Sequence, residues 1–164
     1  MKLTMSHTFD HPIDDCWAMF SDPASHVAKF EGMGHHGVTV LTEEKTDTSL
    51  HMVITREVDV DGIPGFAKKF VKPRNTVITD DTWRDNGDGS FGGKFTLDTK
   101  GVPIDILGTT KLTASGGATD YEVGLEVKVS VPLVGKKLEG FGKGIIETQL
   151  ELEFELGDKW LADH

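Results

Sequence analysis

The chain has 164 residues, 37% of them hydrophobic, a single cysteine and a formal net charge of −10 at pH 7. A chain of that length buries roughly 68–70% of its unfolded surface, so residues 1–164 read as one domain that needs neither disulfides nor metals to fold. The apolar content excludes disorder, the acidic balance argues against non-specific binding to nucleic acid or anionic membranes, and the lone Cys16 excludes an internal disulfide.

A single cysteine suits a reducing compartment. No charged-then-apolar leader and no apolar run of about 18 residues or more is present, so the expectation is a soluble, cytoplasmic protein without stable membrane insertion.

Lys2 to Phe9 alternates, with Leu3, Met5, His7 and Phe9 on one side, which predicts a first strand. A helix follows, with Asp10 or His11 as cap, Pro12 early, and Asp14 and Asp15 at the positive end of its dipole. Ile13, Trp17 and Phe20 form its apolar face. Ser21-Asp22-Pro23 breaks it and opens a second short helix through Val27 and Phe30, ended by Gly32-Met33-Gly34.

From there the pattern is one of strands. Val38 and Val40 mark strand two, and Leu50, Met52, Ile54, Arg56, Val58 and Val60 share one face of strand three. Asp61 to Gly65 turns the chain into a short helical piece, Phe66 to Val71. Thr76 to Arg84 is strand four, and Asp85-Asn86-Gly87-Asp88-Gly89 is a hairpin turn. Phe91, Phe95 and Leu97 lie on one face of strand five, and Ile104, Ile106, Thr110 and Leu112 on one face of strand six. Strand seven carries Tyr121, Val123, Leu125, Val127, Val129 and Val131 inward. Such alternation predicts an antiparallel sheet covered on one side only.

The cover is predicted in Pro132 to Ala162, a long helix with Pro132 in its first turn. Val134, Leu138, Phe141, Ile145, Thr148, Leu152 and Trp160 form one apolar side, and Ile146, Leu150 and Phe154 a second ridge. Leu150 to Leu156 alternates like a strand, but Leu, Glu and Gln favour helix. Gly135, Gly140, Gly142 and Gly144 crowd the first half. They predict close packing, space beside the helix, or a distorted, loop-like start.

The order of strand, two short helices, six strands and long C-terminal helix resembles the START-like superfamily (SRPBCC, the helix-grip fold). Trp17-Ala18-Met19-Phe20-Ser21-Asp22-Pro23 is similar to its first helix and turn. Glu126 to Glu139, with Ile63-Pro64-Gly65-Phe66 and Thr82-Trp83, resembles a small bacterial family of uncharacterised proteins within it. The resemblance implies an α+β fold, a seven-stranded curved antiparallel sheet wrapped around a long C-terminal helix, with a cavity between them. It implies binding of an apolar small molecule, lipid or polyketide-like. Other branches of the superfamily imply a cyclase or hydratase, or a co-chaperone-like interaction module. It carries over no catalytic residue.

A cavity site needs a few polar groups among apolar walls. Alternation turns His7, Arg56 and Asp81 inward. A buried guanidinium needs a partner, so an Arg56–Asp81 ion pair at the rim is expected. The alternative is that Arg56 holds a ligand's carboxylate or phosphate. Trp83, Phe95, Tyr121, Phe141 and Ile145 either fill a core or line a pocket, and with Arg56 and Asp81 they are the candidate ligand-binding residues.

His7 reads as a satisfied core or edge histidine before it reads as a general base. His35 and His36, adjacent on extended chain, point opposite ways, so no metal is expected there. The run Gly140 to Gly144 matches no nucleotide-binding motif. Cys16 reads as a buried thiol, and Lys68, Lys69, Lys72 and Arg74 as a solvated basic face, or as a contact for an acidic partner or a ligand headgroup at the cavity mouth. No cofactor is called for.

Overall fold

A computed structural model describes all residues, 1–164. The chain forms β1 (Lys2–Phe9), α1 (Ile13–Phe20), α2 (Pro23–Gly32), β2 (His36–Lys45), β3 (Ser49–Asp59), β4 (Arg74–Asp85), β5 (Phe91–Thr99), β6 (Ile104–Ser115), β7 (Ala118–Val129) and α3 (Gly135–Asp163). The strands make one antiparallel, curved, seven-stranded sheet in the order β1-β7-β6-β5-β4-β3-β2. Inner positions are buried and outer ones exposed along β6 and β7, and along β3 buried positions alternate with half-buried ones, as the alternation predicts.

Curvature has local causes. β2 carries two register shifts against β3, the first beside Gly37, whose φ of +57° lets the extra residue adopt the left-handed region. On the concave face Gly108 stands opposite Phe95, and a Cβ there would lie 2.1 Å from the ring, so the missing side chain is what seats the aromatic.

Two details of the helices differ from expectation. α1 has no side-chain cap, and Pro12 rather than Asp10 or His11 occupies the N-cap position. α2 is capped as its sequence suggests: Asp22 accepts from the Ala24 N–H at 2.9 Å, with Pro23 following. Residues 66–71 form successive turns, not a helix, closed by Ala67 N–H to Pro64 O and Val71 N–H to Ala67 O, both 2.9 Å.

α3 starts three residues later than Pro132 predicts. Leu133, fully exposed, has φ +70°, and this left-handed residue separates Pro132 from the helix. The alternating stretch Leu150 to Leu156 is helical throughout. The buried stripe is Leu138, Leu150, Phe154, Gly157 and Leu161: Leu150 and Phe154 come from the second predicted ridge and Leu138 from the first, while Ile146 is half-buried. Thr148 is exposed. The first predicted side repeats at heptad spacing, which drifts by about 20° per seven residues on a straight helix.

The two halves of α3 differ. At the C-terminal end Gly157 meets Phe9, and a Cβ would lie 2.8 Å from its ring. Near the other end, Gly140, Gly142 and Gly144 have nothing within 4 Å of a Cβ. The helix is regular there, and the glycines stand beside open space. Phe9 is 1% exposed, and its ring would have to shift to admit the methyl group. Gly157→Ala is therefore expected to lose about 1–2 kcal/mol in denaturant unfolding, overpacking outweighing the roughly 1 kcal/mol gain in helix propensity.

Candidate functional site

Between the concave sheet face and the N-terminal half of α3 lies a cavity of about 250 Å³. Of its 38 lining residues 25 are hydrophobic, so a molecule inside would meet mostly hydrocarbon. Arg56, Asp81, Trp83 and Phe95 reach it from the sheet, Tyr121 from β7, and Phe141 and Ile145 from α3; every candidate residue lies on this one wall. His7 does not. Its Nε2 meets Asp158 Oδ2 at 2.9 Å and its ring stacks on Phe154.

One end is aromatic. Phe20 stacks on Trp83 with centroids 4.6 Å apart and lies 4.8 Å from the Tyr121 ring. These rings fill space among themselves, whereas Phe95, Phe141 and Ile145 stay partly accessible along the wall. Burial raises the Tyr121 hydroxyl well above its ordinary range, with the charges of Glu153 and Asp81 adding to the effect.

The expected Arg56–Asp81 ion pair does not form. Register explains it. Arg56 faces Val77 across β3 and β4, whereas Asp81 faces Met52. Four residues of strand, about 13 Å, separate Val77 from Asp81. Thr79 lies between them and takes the guanidinium: Arg56 Nη1–H donates to Thr79 Oγ1 at 2.7 Å. Arg56 Nε–H donates to His35 Nδ1 at 3.2 Å, and its plane covers Phe30 at 3.8 Å from the centroid. No carboxylate lies within 4 Å of it. Burial lowers its pKa to about 10, which leaves it charged at neutral pH.

His35 serves Arg56 as an acceptor, so its proton resides on Nε2, which donates to Gln149 Oε1 at 3.1 Å. Burial and then Arg56 hold its pKa below the ordinary histidine value. His36 turns the other way, to Asp59 at 2.8 Å, as adjacent residues on extended chain must. His26, buried on α2, donates from Nε2 to Phe20 O at 2.8 Å, and burial pushes its pKa down to about 3. Lys29 Nζ pairs with Glu153 at 3.1 Å at the same end of the cavity.

Asp81 Oδ2 accepts from Trp83 Nε1–H at 3.1 Å, but Oδ1 is buried without a partner. So is Thr110 Oγ1, on the same lining. Burial pushes the Asp81 carboxyl up to about 7, so it is largely protonated in mildly acid solution.

Sequence reasoning missed His35, Lys29, Gln149 and Glu153 as members of this wall. They arrive from α2, its following loop and α3, and no sequence period reports how those elements meet the sheet. Cys16 is buried, its thiol pushed up by burial, and lies away from the cavity wall. Arg74 pairs with Asp59 through Nε at 2.6 Å and Nη2 at 3.1 Å, whereas Lys68, Lys69 and Lys72 are exposed on the β3–β4 connection. No helix is long and apolar enough to cross a membrane.

A long helix laid over a curved antiparallel sheet, with a cavity between, is the START-like, helix-grip architecture. Solved structures share it: TTHA0849 from Thermus thermophilus has a TM-score of 0.71 at 10% identity, covering 99% of this chain and 98% of that one. A START superfamily protein from Mycobacterium smegmatis has a TM-score of 0.60 at 12% identity, covering 97% and 98%. Norcoclaurine synthase from Thalictrum flavum, solved with dopamine and hydroxybenzaldehyde, has a TM-score of 0.63 at 15% identity, covering 100% and 87%. The chain belongs to the family described as a protein of unknown function, DUF2505, whose model matches residues 4–161. No curated protein matches it.

Proposed function

We propose that the protein binds an apolar small molecule, lipid or polyketide-like, in the cavity between the sheet and α3. The observation that carries this reading is the space itself. Phe141, Gly142, Ile145 and Ile146 of α3 face the sheet across it, and its lining is mostly hydrocarbon with a few buried polar atoms. The dopamine and hydroxybenzaldehyde in the norcoclaurine synthase structure support the use of this fold for holding small organic molecules. An interaction module would instead favour a closed core. Catalysis by His7 has no support, because that residue lies outside the cavity.

Native mass spectrometry on freshly purified protein, with denaturing extraction alongside, is the test. The expected result is a bound mass that disappears on denaturation and is reduced in Phe141→Ala. A clean apo mass, together with no thermal shift from a panel of apolar compounds, would overturn the reading.

A further inference from the structure

We propose, building on the binding reading above, that the ligand is an apolar carboxylic acid whose carboxylate is received by Arg56. Arg56 is 6% exposed, and a guanidinium so buried ordinarily has a carboxylate beside it. Here its partners are both neutral. Of five N–H donors, one goes to His35 and one to Thr79, which leaves three on Nη1 and Nη2 without a partner. That remaining edge of the fork matches two carboxylate oxygens.

The charges around the cavity agree. Lys29 and Glu153 cancel as a pair. His26 and His35 are neutral, each held below its ordinary pKa by burial. Asp81 keeps its proton in mildly acid solution. Glu153, the charge that supports Arg56, is engaged by Lys29, so Arg56 leaves the cavity with one net positive charge, which calls for a monoanion. The hydrophobic wall calls for an apolar body behind it. Thr79 and His35 position the guanidinium and cannot themselves discharge it.

The test is calorimetric titration at pH 6 of delipidated full-length protein with sodium decanoate and with 1-decanol, which share a chain and differ in head-group charge. The expected result is that decanoate binds about tenfold or more tightly than decanol. Arg56→Gln should abolish that preference while leaving decanol affinity within about threefold. Thr79→Val, which keeps the charge and removes the oxygen that holds Nη1, should weaken decanoate severalfold and decanol little. It carries the test if Arg56→Gln fails to fold. Equal affinities for the two probes in the wild-type protein, a decanoate preference that survives in folded Arg56→Gln, or one left undiminished in Thr79→Val would overturn the carboxylate assignment and leave cavity binding standing. Failure of both probes to bind would overturn the carboxylate assignment and count against cavity binding as well.

Discussion

At pH 8, Asp81→Asn is expected to melt higher than the wild-type protein by on the order of 5–10 °C, and at pH 4 it is expected to gain nothing. In the folded protein the Asp81 carboxyl titrates at about 7, against an ordinary value of 3.8, because it is buried and one oxygen has no hydrogen-bond partner. Below pH 3.8 both folded and unfolded chains hold this proton, and the residue carries no penalty. Between 3.8 and about 7 the unfolded chain releases the proton and the folded one does not. Stability therefore falls as pH rises through that window, by about 4 kcal/mol in all at roughly 1.36 kcal/mol per pH unit. Above that window the penalty is constant. Asn has the same shape, accepts the Trp83 N–H through its own oxygen and does not titrate, so about 2–4 kcal/mol should be recovered.

His26 acts with the opposite sign. Its folded pKa of about 3 lies below the ordinary 6.5. The unfolded chain takes up a proton below 6.5 while the folded chain refuses it, so stability is lost as pH falls towards 3, by at most about 5 kcal/mol. The two windows overlap. In the wild-type protein these contributions partly cancel between pH 6.5 and pH 3.8. In Asp81→Asn the histidine acts alone, and the variant should lose stability on acidification more steeply than the parent. Thermal unfolding followed by circular dichroism from pH 4 to pH 8 reads both effects. A variant no more stable than wild type at pH 8 would contradict the account of Asp81.

The second large effect is expected at the glycines of α3. The triple replacement Gly140→Ala, Gly142→Ala and Gly144→Ala should stabilise the protein by about 2–3 kcal/mol, since Ala is favoured over Gly in a helix interior by about 1 kcal/mol per residue. Nothing stands in the way, because each added Cβ enters open space. Gly142 also lines the cavity. Gly142→Leu would place a side chain over it, and the proposed binding should weaken while the helix gains. Urea unfolding measures the first effect, and the bound fraction in native mass spectrometry the second. Destabilisation in the triple variant would mean that these positions are not the regular helix described above.

Much of the wall was legible. Arg56 and Asp81 were placed inward by strand alternation alone, and they do face inward. The partner of each was not legible. Alternation has period two and says which face a residue takes, but it is silent on register along the neighbouring strand. Thr79, polar and on the same face, looked like an ordinary strand residue until pairing put it between Arg56 and Asp81. The opposed directions of His35 and His36 followed from extended backbone. That His35 would accept from Arg56 depended on where α2 and its loop come to rest.

The glycines of α3 illustrate the same boundary. Composition alone marked the segment as unusual without deciding among a tight contact, open space and a loop. The structure makes it helix over open space at Gly140, Gly142 and Gly144, and a tight contact against Phe9 at Gly157. Gly140 and Gly144 face solvent, Gly142 faces the cavity and Gly157 faces the packed core, so the side of the helix each occupies separates them.

The sequence by itself determined the element order, the one-sided sheet, the helix that covers it and the inward-facing residues, because these depend on periodicities written along the chain. The cavity, a guanidinium without a carboxylate and the carboxyl raised by burial depend on tertiary structure. Each of these depends on how far one element stands from another, and a void or a missing partner is a property of the space between segments that no local pattern encodes.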